Sequence, residues 1–214
     1  MVKDEHEFEF EDSPEHWPVL ESRVLAQGGI AAFREDLVQM VDGTKARRQY
    51  TTHHGAVAVI ALDDAGRMLT LRQYRHPVRL QMWELPAGLL DHPGEHPLAA
   101  AKRELFEEAY LVADDWRVLV DYRNSAGTSD EASRVFVARG VREATGEHFV
   151  REAEEAGIVT AWVPLPEMFE HVLAGEVTTS SIAVGVSALS AALARPGGID
   201  ALRPGDAPWP ARPF

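Results

Sequence analysis

Three glutamates spaced i, i+3 and i+4, Glu104, Glu107 and Glu108, are the residues of this chain best placed to do chemistry. They lie in the run Arg103-Glu-Leu-Phe-Glu-Glu108, inside a stretch whose pattern predicts a helix over 97–109. Pro97 suits a first helical turn, and Leu98, Ala101, Leu105 and Ala109 recur as an apolar stripe. Residues three and four apart share a helix face, so the three carboxylates project within about 100° of arc, beside the stripe. Carboxylates so close repel one another unless something positive sits between them. Clustered hard oxygens suit Mg²⁺ or Mn²⁺, which bridge to substrate phosphates, and Arg103 can reach Glu107 at i+4. A solvated acidic face laced with ion pairs would show the same spacing. Two features favour the metal reading: the face borders the core stripe, and it follows Pro86-Ala87-Gly88, whose carbonyls could complete a coordination sphere.

The elements that must position these groups are legible from apolar patterning. Residues 1–18 are charged and aperiodic and are expected to form a loose arm. Strand-like pieces follow at 22–26, 31–39 and 48–52, broken at Gly28-Gly29 and at Asp42-Gly43, a hairpin-turn pair. An apolar run over 56–62, a turn at Asp63-Asp64-Ala65-Gly66 and an alternating segment over 67–75 predict two more strands. Residues 83–88 read as a strand ending in a loop, with further strands at 116–122, 134–138 and 158–163. Helices are expected over 166–174, ended by Gly175, and over 180–195, stopped by Pro196-Gly-Gly198. The tail to Phe214 carries four prolines and is expected to lie extended. The pattern is a mixed α/β domain over 55–195 preceded by a small β segment over 19–54.

Composition narrows the function classes. The chain has 214 residues, 45% hydrophobic and 26% charged, enough to bury a full core. The absence of cysteine excludes disulfides, thiolate metal sites and a cysteine nucleophile. A net charge of −13 gives no basic footprint for nucleic acid. The acidic start lacks the apolar stretch of a secretory signal, and the apolar-rich run over 182–194 is too short to span a bilayer. A cytoplasmic protein that binds neither nucleic acid nor membrane is expected. No Walker-type loop, dinucleotide-binding fingerprint or nucleophile elbow is present.

The run Gly88-Leu-Leu-Asp-His-Pro-Gly-Glu95, seven further residues, then Arg103-Glu-Leu-Phe-Glu-Glu108, resembles the signature of Nudix hydrolases, which cleave a nucleoside diphosphate linked to another moiety. It departs from the pattern twice. Six residues instead of five separate Gly88 from Glu95, suggesting a one-residue bulge, and Tyr110 stands where a glycine is usual. Beyond the signature, Gly55-Ala-Val-Ala-Val, Gln73-Tyr-Arg-His76, Trp83-Glu-Leu-Pro-Ala-Gly-Leu-Leu-Asp91, Gly127-Thr-Ser-Asp-Glu131 and Glu154-Glu155 resemble the bacterial ADP-ribose pyrophosphatase branch. The resemblance covers about residues 20–195.

It implies an α/β/α sandwich around a mixed sheet, with an N-terminal β segment that helps form a homodimer. It also implies Mg²⁺-dependent hydrolysis, with Mn²⁺ as a substitute, of ADP-ribose to AMP and ribose 5-phosphate. The metal ligands it implies are Glu104, Glu108 and the Ala87 carbonyl, with Glu107 as a partial or indirect ligand. Gly88, Glu95 and Arg103 are structural parts of the motif. Glu155 or Glu154 would be a metal ligand or the base that orients water, and Arg48, Arg75 and Glu84 would contact substrate. Arginine suits phosphate because its fork bonds bidentately, although either arginine could instead pair with a surface carboxylate. The branch often carries proline where this chain has Ala126, and glutamate where it has Gln49. Another nucleotide-sugar or a dinucleotide is the alternative substrate. A sensor that binds a nucleotide without turning it over is the alternative class, and the intact glutamate set argues against it.

Overall fold

The computed structural model describes residues 10–145 and 157–210. The chain divides at Thr51/Thr52 into two compact units. The first holds β1 (Val19–Gln27), β2 (Ala31–Gln39) and most of β3 (Lys45–His53), in the order β1-β2-β3 with β1 and β2 antiparallel. Asp42-Gly43 makes the expected turn: Gly43 takes φ +83°, and the Asp42 carboxylate accepts the Thr44 N–H at 2.9 Å. The sheet is organised by one buried carboxylate. Glu35 receives Arg23 Nη2 at 2.6 Å, Arg47 Nη1 at 2.9 Å and Gln49 Nε2 at 2.7 Å. The side chain at position 49 therefore has to donate; a glutamate there would face Glu35 with like charge.

The second unit holds β4 (Ala56–Ala61), β5 (Arg67–Arg75), β6 (Leu80–Glu84), β7 (Ala87–Leu89), α1 (Pro97–Ala109), β8 (Leu111–Val112), β9 (Asp115–Arg123), β10 (Ala132–Arg139), β11 (Arg142–Glu143), β12 (Val159–Pro164), α2 (Leu165–Leu173), α3 (Ser180–Leu193) and β13 (Arg203–Pro204). One sheet runs β13-β9-β10-β4-β7 and another β12-β5-β6. β10 and β4 are parallel, whereas β10 with β9 and β4 with β7 are antiparallel, so the sheet is mixed.

β4 is apolar on both faces because helices cover both. Val57, Val59 and Ala61 pack with Ala100, Ala101 and Leu105 of α1. Ala58 and Ile60 pack with Met168 of α2 and Ile182, Val186 and Leu189 of α3. This is the expected α/β/α layering. Among the described residues no helix is long and apolar enough to cross a membrane.

Two expectations are corrected. The stretch over 83–88, read as a strand ending in a loop, is the end of one strand and the start of another in a different sheet, β6 and β7, because Leu85-Pro86 interrupts them: Pro86 has no N–H to give a ladder, and Leu85 turns fully into the core. The tail does not simply lie extended. It makes a 3₁₀ turn at Gly198–Ala201 and adds β13 to the edge of β9. Arg134, fully buried on β10, is the reason. It grips Asp121 through Nε (2.7 Å) and Nη2 (3.0 Å), donates to the carbonyls of Ala207 (2.7 Å) and Pro208 (2.9 Å), and lies 4.8 Å from the Trp209 ring centroid. A buried guanidinium without those acceptors would be costly, so the tail belongs to the core.

Candidate active site

The site is built where α1 meets the free edge of β7. Two bonds fix the β4–β7 ladder: Val59 N–H to Pro86 O (2.8 Å) and Leu90 N–H to Gly55 O (3.1 Å). Antiparallel ladders alternate bonded and unbonded pairs. Ala87, opposite Ala58, is therefore an unbonded position whose N–H and C=O both point away from β4. β7 closes its sheet, so these groups face α1. The Ala87 N–H is taken by Glu108 Oε2 at 2.8 Å. Glu108 lies on the buried face of α1 and is 6% exposed, so its carboxylate is aimed at this edge instead of solvent. Glu104, one turn earlier, lies against Gly88: a Cβ on Gly88 would come 1.9 Å from Glu104 Oε1. Glycine is needed here for room.

Something positive does sit among the carboxylates, and it is Arg103. Nη1 donates to Glu104 Oε1 (2.6 Å) and to Glu107 Oε2 (3.1 Å), while Nε and Nη2 clasp Glu95 at 3.1 Å each. The Arg103 hydrogen bonds hold the Glu95 carboxyl below the usual glutamate range, against a desolvation effect that raises it. Its bonds to Glu95, followed by the charge of Glu104, push the guanidinium upward, so it stays charged. Arg103 thus bridges Glu104 and Glu107 from the side, while Glu104 also lies against Gly88 and Glu108 bonds the Ala87 N–H.

The six-residue loop between Gly88 and Glu95 ends in a tight turn. Glu95 N–H bonds His92 O (3.1 Å), with Pro93 at the second position and Gly94 at φ +79° at the third, the type II arrangement. His96 caps α1, its Nδ1 accepting the Leu98 N–H at 3.2 Å. At the other end Tyr110 takes the left-handed conformation (φ 57°, ψ 37°) that glycine usually fills. Its N–H bonds Phe106 O (2.8 Å) and its ring packs on Phe106 with centroids 5.4 Å apart. The helix register carrying Glu104 and Glu108 is kept.

Among the described residues no three acidic or histidine side chains converge as a ready metal cluster. The donors nonetheless suit a hard divalent cation: two carboxylates and the outward carbonyl of Ala87 meet at one strand edge, all oxygen. Glu154 and Glu155 lie outside the described residues.

Arg75 and Glu84 are brought together. Glu84 is buried and receives Arg75 Nε (2.8 Å) and Nη2 (2.6 Å) and Gln73 Nε2 (3.1 Å). The carboxylate is thus a socket that aims the guanidinium, three residues before Ala87. Arg48 lies in the first unit, exposed, donating to the Arg47 carbonyl (3.2 Å) and approaching Met40 Sδ (3.8 Å), with no carboxylate partner among the described residues. Ala126 occupies the second position of a turn closed by Thr128 N–H to Ser125 O (2.9 Å), a place where proline and alanine both fit. Sequence reasoning missed the His96 cap, signalled by its place before Pro97, and the support Gln73 gives Glu84.

Residues 52–180 match the NUDIX domain model. Over 209 residues the chain is 41% identical to the ADP-ribose pyrophosphatase of Mycobacterium tuberculosis, covering 98% of this chain and 94% of that protein. It is 32% identical over 148 residues to the ADP-ribose pyrophosphatase of Bacillus subtilis, covering 66% of this chain and 79% of that one. The crystal structure of an ADP compounds hydrolase superposes with a TM-score of 0.69 at 19% identity, covering 86% of this chain and 97% of that chain, which shows the shared fold. The chain belongs to the Nudix family.

Proposed function

We propose that this protein is a Nudix pyrophosphohydrolase that cleaves ADP-ribose to AMP and ribose 5-phosphate with Mg²⁺, or Mn²⁺ in its place. The observation that carries the reading is the convergence of Glu108 and Glu104 on the outward edge of Ala87-Gly88. Its substrate is supported by similarity to two proteins named ADP-ribose pyrophosphatase. Glu104, Glu108 and the Ala87 carbonyl would hold the ion, with Glu107 nearby on Arg103. A bound divalent cation neutralises phosphate charge and lowers the pKa of a water. The protein's own part is to present these oxygens without collapse, which Arg103 does by neutralising Glu104 and Glu107 from the side. Arg75, aimed by Glu84, and Arg48 are assigned to the substrate phosphates or adenine. Glu155 or its neighbour Glu154 is assigned to orienting the attacking water.

We also assign the first unit to homodimer formation in the cytoplasm. All nine residues of β1 are exposed, among them Val19, Leu20, Val24 and Leu25, and a three-stranded sheet with that much apolar surface calls for a partner. The test of the activity is incubation with Mg²⁺ and a panel of ADP-ribose, other nucleotide-sugars and dinucleotides, with products identified by mass spectrometry. ADP-ribose should have the highest kcat/KM. Faster turnover of another panel member would replace the substrate, and no mononucleotide from any would leave a nucleotide sensor.

A further inference from the structure

The segment carrying Glu84 and Ala87 crosses between two sheets, and its register decides where both groups sit. Inside the segment, Leu85 is buried and the Pro86 carbonyl accepts Val59 N–H at 2.8 Å. The β6 end is paired on one side with β5, Trp83 opposite Arg72 and Glu84 opposite Leu71. β6 is the edge of its sheet, and the Trp83 carbonyl, one residue before Glu84, accepts the Thr179 hydroxyl at 2.6 Å.

Thr179 is the N-cap of α3, where a hydroxyl ordinarily accepts an N–H of its own helix. Here its side chain makes no such bond; its hydrogen bond goes across 96 residues of sequence to β6. The next residue, Ser180, donates to Asn124 Oδ1 (2.8 Å), and Asn124 donates to Ser133 Oγ (3.1 Å) on β10. α3 is itself immobilised: Ile182, Val186 and Leu189 are fully buried, and a Cβ on Gly185 would meet Ile60 Cδ1 at 3.0 Å. A rigid helix thus gives up its own side-chain cap to hold a strand edge.

We infer that Thr179 is a positioning residue for the substrate site, bracing through the Trp83 carbonyl the free side of β6 where the Glu84–Ala87 segment leaves its sheet, and so the aim of the Glu84–Arg75 pair. This rests on the pyrophosphohydrolase reading for its kinetic consequence, but the contact itself does not. Thr179→Val removes the hydroxyl at constant shape, and Thr179→Ser restores it.

Two measurements on the full chain separate the questions. Hydrogen exchange without substrate or metal reads the segment: the Ala87 amide, donor to Glu108, should exchange faster in Thr179→Val and at the wild-type rate in Thr179→Ser. Kinetics with ADP-ribose and Mg²⁺ read the consequence. A misplacement of about 1 Å can cost up to about 10²-fold, and with Glu84 adjoining Trp83 the loss should appear as KM raised about tenfold, with kcat within about threefold and serine restoring it. Unchanged exchange, an unchanged KM, or a KM that serine fails to restore overturns the inference. A wild-type protein that turns over nothing on the panel overturns the pyrophosphohydrolase reading instead, and the exchange result still decides the contact.

Discussion

Gly88 and Tyr110 are both glycine positions of the motif, and they behave in opposite ways. At Gly88 the absence of a side chain is functional: an added methyl would meet Glu104 Oε1 at 1.9 Å, Cδ at 2.0 Å and Cγ at 2.6 Å. A flexible carboxylate can swing aside, so Gly88→Ala should displace Glu104 without unfolding the protein. The expected result is a loss of at least about tenfold in kcat, as for a misplaced charged group, with the melting temperature lowered by only a few degrees. Steady-state kinetics and a thermal melt on the same sample check both halves. At Tyr110 the left-handed backbone is strained by about 1–2 kcal/mol, offset by ring packing on Phe106 of about 0.5–1.5 kcal/mol. Tyr110→Gly should therefore change stability by about 1 kcal/mol or less and leave kcat within a few-fold. A hundred-fold gain in turnover would show that tyrosine suppresses the site.

Helix α1 is an element held in register from its side as well as from its face. Arg103 ties it to Glu95 in the preceding loop, and that clasp should be visible in acid. Glu95 in the folded protein titrates below the ordinary glutamate value of 4.5 because Arg103 bonds it. On acidification the unfolded chain takes up this proton first, so stability rises with pH across the window between the two values. The contribution is complete above about 4.5 and lost as pH falls through the folded value. Urea midpoints measured from pH 6 to pH 3 should fall less steeply for Glu95→Gln than for wild type; identical slopes would show that the clasp is not coupled to folding.

The α1 helix and its glutamate face were legible because apolar period, Pro97 and the i,i+3,i+4 carboxylates agreed. The β6–β7 break was not: Trp83-Glu-Leu-Pro-Ala-Gly has no turn residue before Pro86, and only the pairings, Glu84 opposite Leu71 of β5 and Ala87 opposite Ala58 of β4, show that it changes sheets. The joining of Glu95, Glu104 and Glu107 by one guanidinium was equally illegible, since spacing offers only the Arg103–Glu107 pair at i+4. The tail's place was hidden in one buried arginine, which periodicity within the apolar β10 could not mark as a latch.

For the protein as a whole, β1, exposed along all nine residues, is the surface assigned to a second copy. Light scattering on the full chain should give a mass of two copies of the 23.6 kDa chain, and deletion of residues 1–50 should abolish it. An active, well-folded monomer lacking those residues would contradict the dimer assignment.

Glu104, Glu108 and the Ala87 edge are assigned to metal-dependent cleavage of a pyrophosphate. The most direct measurement is the initial rate of AMP release from ADP-ribose, by wild type and Glu108→Gln, with Mg²⁺ and with EDTA. Glutamine keeps an oxygen for the Ala87 N–H, so the fold should survive while the charge is lost. Wild type should release AMP with Mg²⁺ alone, EDTA should stop it, and Glu108→Gln should be slower by about two orders of magnitude or more. Equal rates for the two proteins with Mg²⁺, or wild-type release undiminished in EDTA, would show that these groups do not hold a catalytic ion.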